Sequence, residues 1–394
     1  MKIRERLIYF SISGITTQDS FLTFCRVFIK GDGRLMEDTS VDDEDILRFI
    51  EGAKPKIYVI GSGGSGSNTI TRLSSLGVDG ATLIAMNTDA AHLVKTRAER
   101  KLLLGKKTTK GLGAGSDLKI GEEAALESKA EIRSLIGDAN LVFITCGLGG
   151  GTGTGSISTI AHEAKEADAL VVAIVTLPFS SEGRTRTRNA LEGLSKLRKI
   201  VDTAIVIRND KLLSIAPDLP LNMAFRVSDE ILANATKGIV EMATKPGMVN
   251  IDFADLRSVL SDSGYAVIGT GEGMATSAES RRAIIALENA LKSPMLDADL
   301  SNAKRALVNI VGGESLTLRE AETVFQEVSS RISQDALLKW GARIEPDMQK
   351  DVLRVMVVVS GVDFPEYEEK VIEKRIESLK DIDLDEVFES ESRR

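Results

Sequence analysis

Nine residues, 147–155, have the composition of a phosphate-binding segment, with six glycines and two threonines. They follow the apolar run 141–144 and precede a stretch that we predict to be helical from residue 156 to 166. Glycine lets backbone N–H groups crowd round an anion, a helix N-terminus adds partial positive charge, and threonine hydroxyls donate further hydrogen bonds. A mobile linker would not lie between a buried strand and a helix with an apolar face. The segment is not a P-loop, because the chain contains no Gly-x-x-x-x-Gly-Lys-Ser/Thr.

A second glycine-rich segment, residues 61–68, supports the first. It follows a short apolar run and precedes apolar residues at helical spacing, Ile70, Leu73 and Leu76. Taken alone, the segment resembles the dinucleotide-binding fingerprint of a Rossmann dehydrogenase, and Asp89 lies near the place of the ribose-binding acid. A dehydrogenase does not explain a longer phosphate segment after the fourth predicted strand. An NAD-binding oxidoreductase is therefore the remote alternative.

A third segment carries carboxylates that could act on a water molecule. Asn250, Asp252 and Asp255 follow a long helical stretch that ends at Pro246-Gly247. Two carboxylates three residues apart, with an amide upstream, could polarise and orient a water beside a phosphate. The alternative is a helix N-terminal cap, because aspartate is common in a first helical turn.

Together these three segments closely resemble the FtsZ family of tubulin-like cell-division GTPases, in its archaeal form. Residues 147–155 resemble the glycine-rich signature of tubulin and FtsZ, and residues 250–256 resemble the synergy loop of the family. The resemblance covers roughly residues 55–362. Further matching segments, in chain order, are Asn87-Thr88-Asp89-Ala90, Lys110-Gly111-Leu112-Gly113-Ala114-Gly115, Pro178-Phe179 with Glu182-Gly183, and Asn209-Asp210-Lys211-Leu212-Leu213.

The resemblance implies a GTP-binding site assembled from several segments. Ser65 and Ser67 stand where the family usually has glycine or asparagine, and serine tolerates a positive φ poorly, so we expect the first segment to be shaped slightly differently here. Their hydroxyls could still donate to phosphate. By position, the nucleotide-binding residues are Gly64, Ser65, Gly66, Ser67 and Asn68 for phosphates and sugar, Ala114 and Gly115 for the γ-phosphate, Gly151, Thr152 and Gly153 for the α- and β-phosphates, Glu182 and Arg186 for the ribose and base side, and Asn209 and Asp229 for guanine.

The guanine-binding role of Asp229 has a chemical reason. A carboxylate can accept from both the ring N–H and the exocyclic amine of guanine, whereas adenine offers an acceptor at that ring nitrogen. The alternative for Asp229 is an ordinary exposed acid on a helix.

The resemblance also implies how the acidic segment works. It follows a long helix and could not reach the nucleotide of its own subunit, but in the family it completes the active site of the next subunit in a head-to-tail filament. Asn250, Asp252 and Asp255 are thus the candidate catalytic residues of a GTPase that polymerisation activates. The implied cofactors are GTP or GDP and Mg²⁺, with no protein side chain assigned to the metal.

The implied function is filament assembly at a cytoplasmic division ring at mid-cell. The main partner is a second copy of the chain, and membrane anchors of the division ring are further candidates. A tubulin-like GTPase that controls cell shape is the nearer alternative function.

Composition excludes several other classes. The chain has 394 residues and a net charge of −8, which argues against nonspecific nucleic-acid binding. Two cysteines and two histidines provide neither a disulfide framework nor a zinc site, and we predict Cys146 to be a packed thiol. No apolar run reaches 18 residues, so we expect no direct membrane insertion.

The element pattern predicts an α/β protein. Short runs rich in valine and isoleucine, without polar alternation, indicate strands buried in a parallel sheet. The resemblance to FtsZ implies that this sheet forms a Rossmann-like GTPase domain, joined by a long central helix to a smaller α/β domain. We divide the chain into an unassigned N-terminal extension (1–54), a GTP-binding domain (55–220), a connecting helix (221–245), a C-terminal α/β domain with the catalytic loop (246–362) and a charged tail (363–394).

The two ends of the chain depart from the family. Residues 1–35 have no counterpart in the family core, and we interpret them as dispensable. The alternative is an added strand or helix that packs on the domain through the four phenylalanines of this segment. The tail is dense in charge, which predicts an exposed helix or a disordered segment. Residues 382–388 are its best candidate for docking a membrane anchor, with a closing amphipathic helix as the alternative.

Overall fold

Ten strands form one mixed sheet in this computed structural model, which describes residues 55–215, 220–275, 281–293, 295–296, 300–301, 303–362, 372 and 374–377. The order of the strands across the sheet is β3-β2-β1-β4-β5-β6-β7-β10-β8-β9. Their bounds are β1 Ile57–Ser62, β2 Ala81–Asn87, β3 Arg100–Leu103, β4 Leu141–Gly147, β5 Leu170–Leu177, β6 Thr203–Arg208, β7 Gly264–Met274, β8 Arg305–Gly312, β9 Leu337–Ile344 and β10 Val352–Ser360.

The first six strands are all parallel, in the order 3-2-1-4-5-6 of a Rossmann fold. Every residue of β1 is buried, as are nearly all of β4 and β5, because helices cover both faces of the sheet. Gly61 of β1 is in register with Thr145 of β4, so the carboxyl ends of these two central strands lie side by side. The glycine-rich segments that follow them must therefore meet at one edge of the sheet.

The helices connect the strands and cover the sheet. A short 3₁₀ helix spans Ser180–Glu182. The α-helices of the described residues are α1 Gly63–Leu76, α2 Ala90–Lys95, α3 Leu118–Glu127, α4 Lys129–Ile136, α5 Gly151–Glu166, α6 Arg184–Arg198, α7 Asp210–Ile215, α8 Leu221–Thr244, α9 Phe253–Leu260, α10 Arg282–Leu291 and α11 Leu318–Ser329.

The second half of the sheet has a mixed arrangement. The start of β7 pairs parallel with β6, β10 lies antiparallel between β7 and β8, and β9 is parallel to β8. Helices α10 and α11 contribute Ala286 and Val324 to a separate core on this half. The α/β fold that we predicted is confirmed, and the sheet continues from one half into the other.

The long helix α8 spans the residues predicted for the connecting helix. Leu232 and Ile239 are fully buried in the same core as Val259 of α9 and Val358 of β10. This helix therefore packs against both halves of the molecule.

Cys146 is fully buried in β4, a packed thiol as predicted, and burial raises its pKa.

The charged tail corrects one expectation. Ile372 is 1% exposed and belongs to the core of the first half of the sheet, with Ile376 packed against it. Two isoleucines four residues apart give one apolar stripe within a charged sequence, which composition alone averages away. This part of the tail is thus neither fully exposed nor disordered.

The N-terminal extension 1–54 and the docking candidate 382–388 lie outside the described residues. Of the helices that the structure describes, none has the length and apolarity of a membrane span.

Candidate functional site

The first glycine-rich segment is part of a helix, which corrects our expectation of a loop with a slightly altered shape. Residues 64–68 lie in the first turns of α1, and of these turns only Gly63 has a positive φ, +73°. Ser65 and Ser67 therefore adopt helical backbone without strain. A Cβ at Gly63 would lie 2.7 Å from the backbone nitrogen of Gly153, so glycine here lets the two phosphate-binding segments touch.

The second segment also becomes helical earlier than predicted. Helix α5 begins at Gly151, not at residue 156, and no side chain caps its first turn. The Gly151 N–H donates to the carbonyl of Gly115 at 2.9 Å, and a Cβ at Gly151 would lie 2.8 Å from the carbonyl oxygen of Ala114. Residues 114–115 and 151–153 thus form one surface at a helix N-terminus, where backbone N–H groups can bind an anion.

Threonine hydroxyls lie at the same place. The Thr152 Oγ1 and Thr88 Oγ1 atoms are 2.6 Å apart, and Thr88 follows the carboxyl end of β2. Thr154 Oγ1 accepts from the Gly149 N–H at 2.8 Å. These hydroxyls fix the glycine run and place Thr152 on the surface that we predict to bind phosphates.

Glu182 and Arg186 form an ion pair beside the glycine run. Glu182 Oε1 also accepts from the Phe179 N–H at 2.9 Å. A Cβ at Gly149 would lie 2.9 Å from the carbonyl oxygen of Arg186, so the start of α6 packs directly on the glycine run. The two residues predicted for the ribose and base side therefore border the phosphate surface.

Asp229 is held against the first glycine segment and is not a freely exposed acid. Its Oδ1 accepts from Ser65 Oγ at 3.0 Å, and its Oδ2 accepts from Asn68 Nδ2 at 3.2 Å. Burial raises the pKa of Asp229, and the hydrogen bonds from Ser65 and Asn68 oppose that rise. Asn209 is 5% exposed, and its Oδ1 accepts from Ser228 Oγ at 2.7 Å. Both predicted guanine contacts thus lie together at one end of the site.

His92 is a residue of this site that sequence reasoning missed. Its Nε2 lies 3.1 Å from Asn68 Oδ1 and its Nδ1 lies 3.4 Å from Asn87 Nδ2. Its ring also faces Gly64, since a Cβ built there would lie 3.8 Å from the ring. The available signal was its place in α2, just after the carboxyl end of β2, where ligands of parallel sheets bind.

The acidic segment begins α9 and is separate from the glycine segments. Asp252 is the N-cap: its Oδ1 accepts from the Asp255 N–H at 2.7 Å, and Asp255 Oδ2 accepts from the Asp252 N–H at 3.3 Å. Asn250 Oδ1 accepts from the Gly247 N–H at 2.6 Å. Within one subunit the helix-cap interpretation therefore describes the geometry, which leaves a catalytic role between subunits open.

Distance separates the two sets of residues. Asp229 precedes Thr244, the last residue of α8, by about 22 Å of helix at 1.5 Å per residue. In the described residues no hydrogen bond or ion pair joins Asn250, Asp252 or Asp255 to the glycine segments. Lys339 forms an ion pair with Asp255, and its ammonium group donates a hydrogen bond to the carboxylate. That hydrogen bond is the main cause of the lowered pKa of Asp255.

The chemistry of the first set fits a nucleoside triphosphate. Two uncapped helix N-termini and hydroxyls meet at the predicted phosphate surface, and the amide and carboxylate predicted to bind guanine belong to the same site. The described residues contain no group of three or more His, Cys, Asp or Glu side chains that could hold a metal. A Mg²⁺ ion at this site would take ligands from phosphates and water, as Mg²⁺ commonly does.

Known proteins share both sequence and fold with this chain. The GTPase domain of the tubulin/FtsZ family matches residues 56–217, which implies that the chain binds GTP and GDP, and the FtsZ C-terminal domain matches residues 264–363. Cell division protein FtsZ 1 of Methanocaldococcus jannaschii is 50% identical over 325 residues, 82% of this chain and 88% of that protein. Cell division protein FtsZ of Methanothermobacter thermautotrophicus is 52% identical over 324 residues, 82% of this chain and 84% of that protein.

Solved structures give the same result. An empty FtsZ dimer from M. jannaschii matches with a TM-score of 0.76 at 50% identity, over 81% of this chain and 92% of that chain. CetZ2 from Haloferax volcanii, solved as a GTPγS-bound protofilament, matches with a TM-score of 0.71 over 82% of this chain and 98% of that chain, but at 22% identity it shares the fold alone. The chain therefore belongs to the FtsZ family of tubulin-like cell-division GTPases.

Proposed function

We propose that this chain hydrolyses GTP at the contact between two subunits of a head-to-tail filament. One subunit binds GTP on its glycine segments, and Asn250, Asp252 and Asp255 of the next subunit complete the site. The observation that carries this proposal is the separation of the two sets within one subunit. A heterologous contact of this kind builds open filaments when its rotation does not close.

Each set then has a distinct role. The N-termini of α1 and α5 hold the phosphates, and Asn209 and Asp229 select guanine. The neighbouring subunit supplies Asp252 and Asp255, whose carboxylates orient and polarise the attacking water. Mg²⁺ bound to the phosphates would neutralise charge that develops there, which is chemistry that phosphoryl transfer requires.

The filament would act at a cytoplasmic division ring at mid-cell. Its main partner is a second copy of the chain, in line with the dimer of the M. jannaschii relative. Membrane anchors are a further partner class, with residues 382–388 as the segment to examine. The net charge of −8 disfavours nucleic acid as a partner.

Mixing two inactive variants tests the shared site. Asp255→Asn should bind GTP and assemble, but its hydrolysis should fall by roughly two or more orders of magnitude, the scale of losing a positioned catalytic group. Gly153→Asp should not bind GTP, because a carboxylate would enter the phosphate surface, yet it keeps an intact Asp255. Mixed filaments should regain GTP hydrolysis, measured as phosphate release.

Asp79→Asn is the matched control, since the Asp79 side chain is 83% exposed and lies outside both sets. It should hydrolyse GTP at the rate of the unmodified chain. Normal hydrolysis by Asp255→Asn alone would show that the acidic segment is only a helix cap.

A further inference from the structure

Lys339 contacts the carboxylate on which the proposed hydrolysis depends. Its Nζ lies 2.7 Å from Asp255 Oδ1, whereas Asp255 Oδ2 has a longer contact, 3.3 Å, from the Asp252 N–H. The two side chains are 38% and 26% exposed, so the pair lies where a neighbouring subunit could meet it. Lys339 therefore holds Asp255 Oδ1 firmly, whereas the Asp252 N–H holds Asp255 Oδ2 only weakly.

Strand β9 presents Lys339 to the acidic segment from a fixed position. Val249 and Ala342 exchange two backbone hydrogen bonds of 3.2 and 3.1 Å, and a Cβ at Gly341 would lie 2.8 Å from the Ile251 side chain. The chain that leads into Asp252 is thus packed on β9. Further along the same face, β9 is anchored to α8 by the buried ion pair of Arg343 with Glu241, at 3.0 Å. Lys339 therefore sits on a rigid support.

We propose that Lys339 is a positioning residue for GTP hydrolysis, which holds Asp255 Oδ1 so that Asp255 Oδ2 faces the water at the neighbouring subunit's GTP. The inference rests on the proposed role of Asp255 between subunits. The weak contact of Oδ2 with the Asp252 N–H is the one that an incoming water can replace. A carboxylate that is already oriented is a better base than a freely rotating one, because the entropy of its rotation is lost on folding and not during the reaction.

Charge supports the same role. The groups facing Asp255 are Lys339 from β9 and Asp252 from its own helix cap, whereas Arg305 of β8 faces the far end of α9, at the carbonyl of Ser261. The hydrogen bond from Lys339 lowers the pKa of Asp255, so the carboxylate stays ionised under mildly acidic conditions. An exposed ion pair adds little to folding stability, so stability alone does not explain the pair.

Lys339→Met and Lys339→Arg, compared in assembled filaments, test the proposal. We expect Lys339→Met to keep its melting temperature and its Kd for GTP, which binds at the far end of the subunit. Its kcat should fall about ten-fold, the scale of losing an oriented partner of a catalytic group. The acid limb of its pH–rate profile should move to higher pH, because the pKa of Asp255 rises without the lysine. Lys339→Arg should restore both readouts. Lys292→Met should change neither, because Lys292 is an exposed lysine just after α10 that pairs with Glu288 of that helix.

A double variant separates this inference from the proposed function. In an Asp255→Asn background, Lys339→Met should have no further effect, because Lys339 acts through Asp255. A further loss there would mean that Lys339 acts directly on the phosphates and would overturn the inference, as would an unchanged kcat and acid limb in Lys339→Met alone. Retained hydrolysis by Asp255→Asn would instead overturn the proposed function itself.

Discussion

Asp229 shows at the scale of one residue how the fold holds a carboxylate against the first glycine segment, where we propose that it binds guanine. Asp229→Ala should weaken GTP binding by about 1–3 kcal/mol, the cost of leaving polar groups unpaired, and should reduce the preference for GTP over ATP. Burial raises the pKa of Asp229, so its carboxylate becomes protonated earlier as the pH falls. GTP binding should therefore begin to weaken at a higher pH than it would with an aspartate of ordinary pKa. Competition against a fluorescent nucleotide measures both effects. Glu230→Ala, at an exposed neighbour paired with Arg72, is the control. Unchanged discrimination would place guanine recognition elsewhere, with Asn209 as the next candidate.

Sequence reasoning identified the site residues that lie in motifs of the family. It missed the residues that reach the two sites only through tertiary packing. Ser65, Asn68 and Asp229 were named from the sequence, and the structure brings them together. His92 and Lys339 belong to no motif. Their contacts with Asn68 and Asp255 depend on how α2 and β9 pack, which spacing along the chain does not determine.

At the scale of elements, close packing decides where the phosphate-binding helix starts. Glycine has poor helix propensity, so propensity places the start of α5 after the glycine run. The structure starts it at Gly151, where the backbone is packed against residues 114–117. Tertiary contact therefore overrides local propensity at this position. Strands β1, β4 and β5 are easier to recognise from the sequence, because each begins with an uninterrupted run of at least four apolar or aromatic residues.

Two adjacent glycines at this helix start make a matched pair. A Cβ at Gly151 would lie 2.6 Å from the carbonyl oxygen of Asp117, whereas a Cβ at Gly150 would meet no atom within 4 Å. Gly151→Ala should lower the free energy of unfolding by about 1–3 kcal/mol, the usual cost of overpacking, and should weaken GTP binding. Gly150→Ala should do neither. Urea denaturation and nucleotide titration measure the two effects. Equal behaviour of the two variants would mean that the contacts of Gly151 do not set the start of α5.

At the scale of the whole molecule, the two halves share more than a connecting helix. The pairing of β6 with β7 makes the sheet continuous, and α8 packs against residues of both halves. The sequence indicated the helix and the strands, but it contained no signal for the pairing between β6 and β7. That pairing joins residues about 60 positions apart, and both partners have generic strand character. The proposed domain boundaries at 220 and 246 therefore lie within one packed unit.

The segment around Ile372 extends this packed unit into the charged tail. Ile372 is 1% exposed in the core beneath the GTPase half, so Ile372→Ala should cost about 2–5 kcal/mol of unfolding free energy, as for other buried isoleucines. Ile376→Ala, at a partly buried position four residues later, should cost less. Thermal and urea unfolding of both variants, followed by GTP binding, provide the measurement. If Ile372→Ala unfolds like the unmodified chain, the tail contributes nothing to the core and behaves as its composition predicted. A clear loss would instead make Ile372 a structural part of the GTPase half, although it follows the C-terminal domain in the chain.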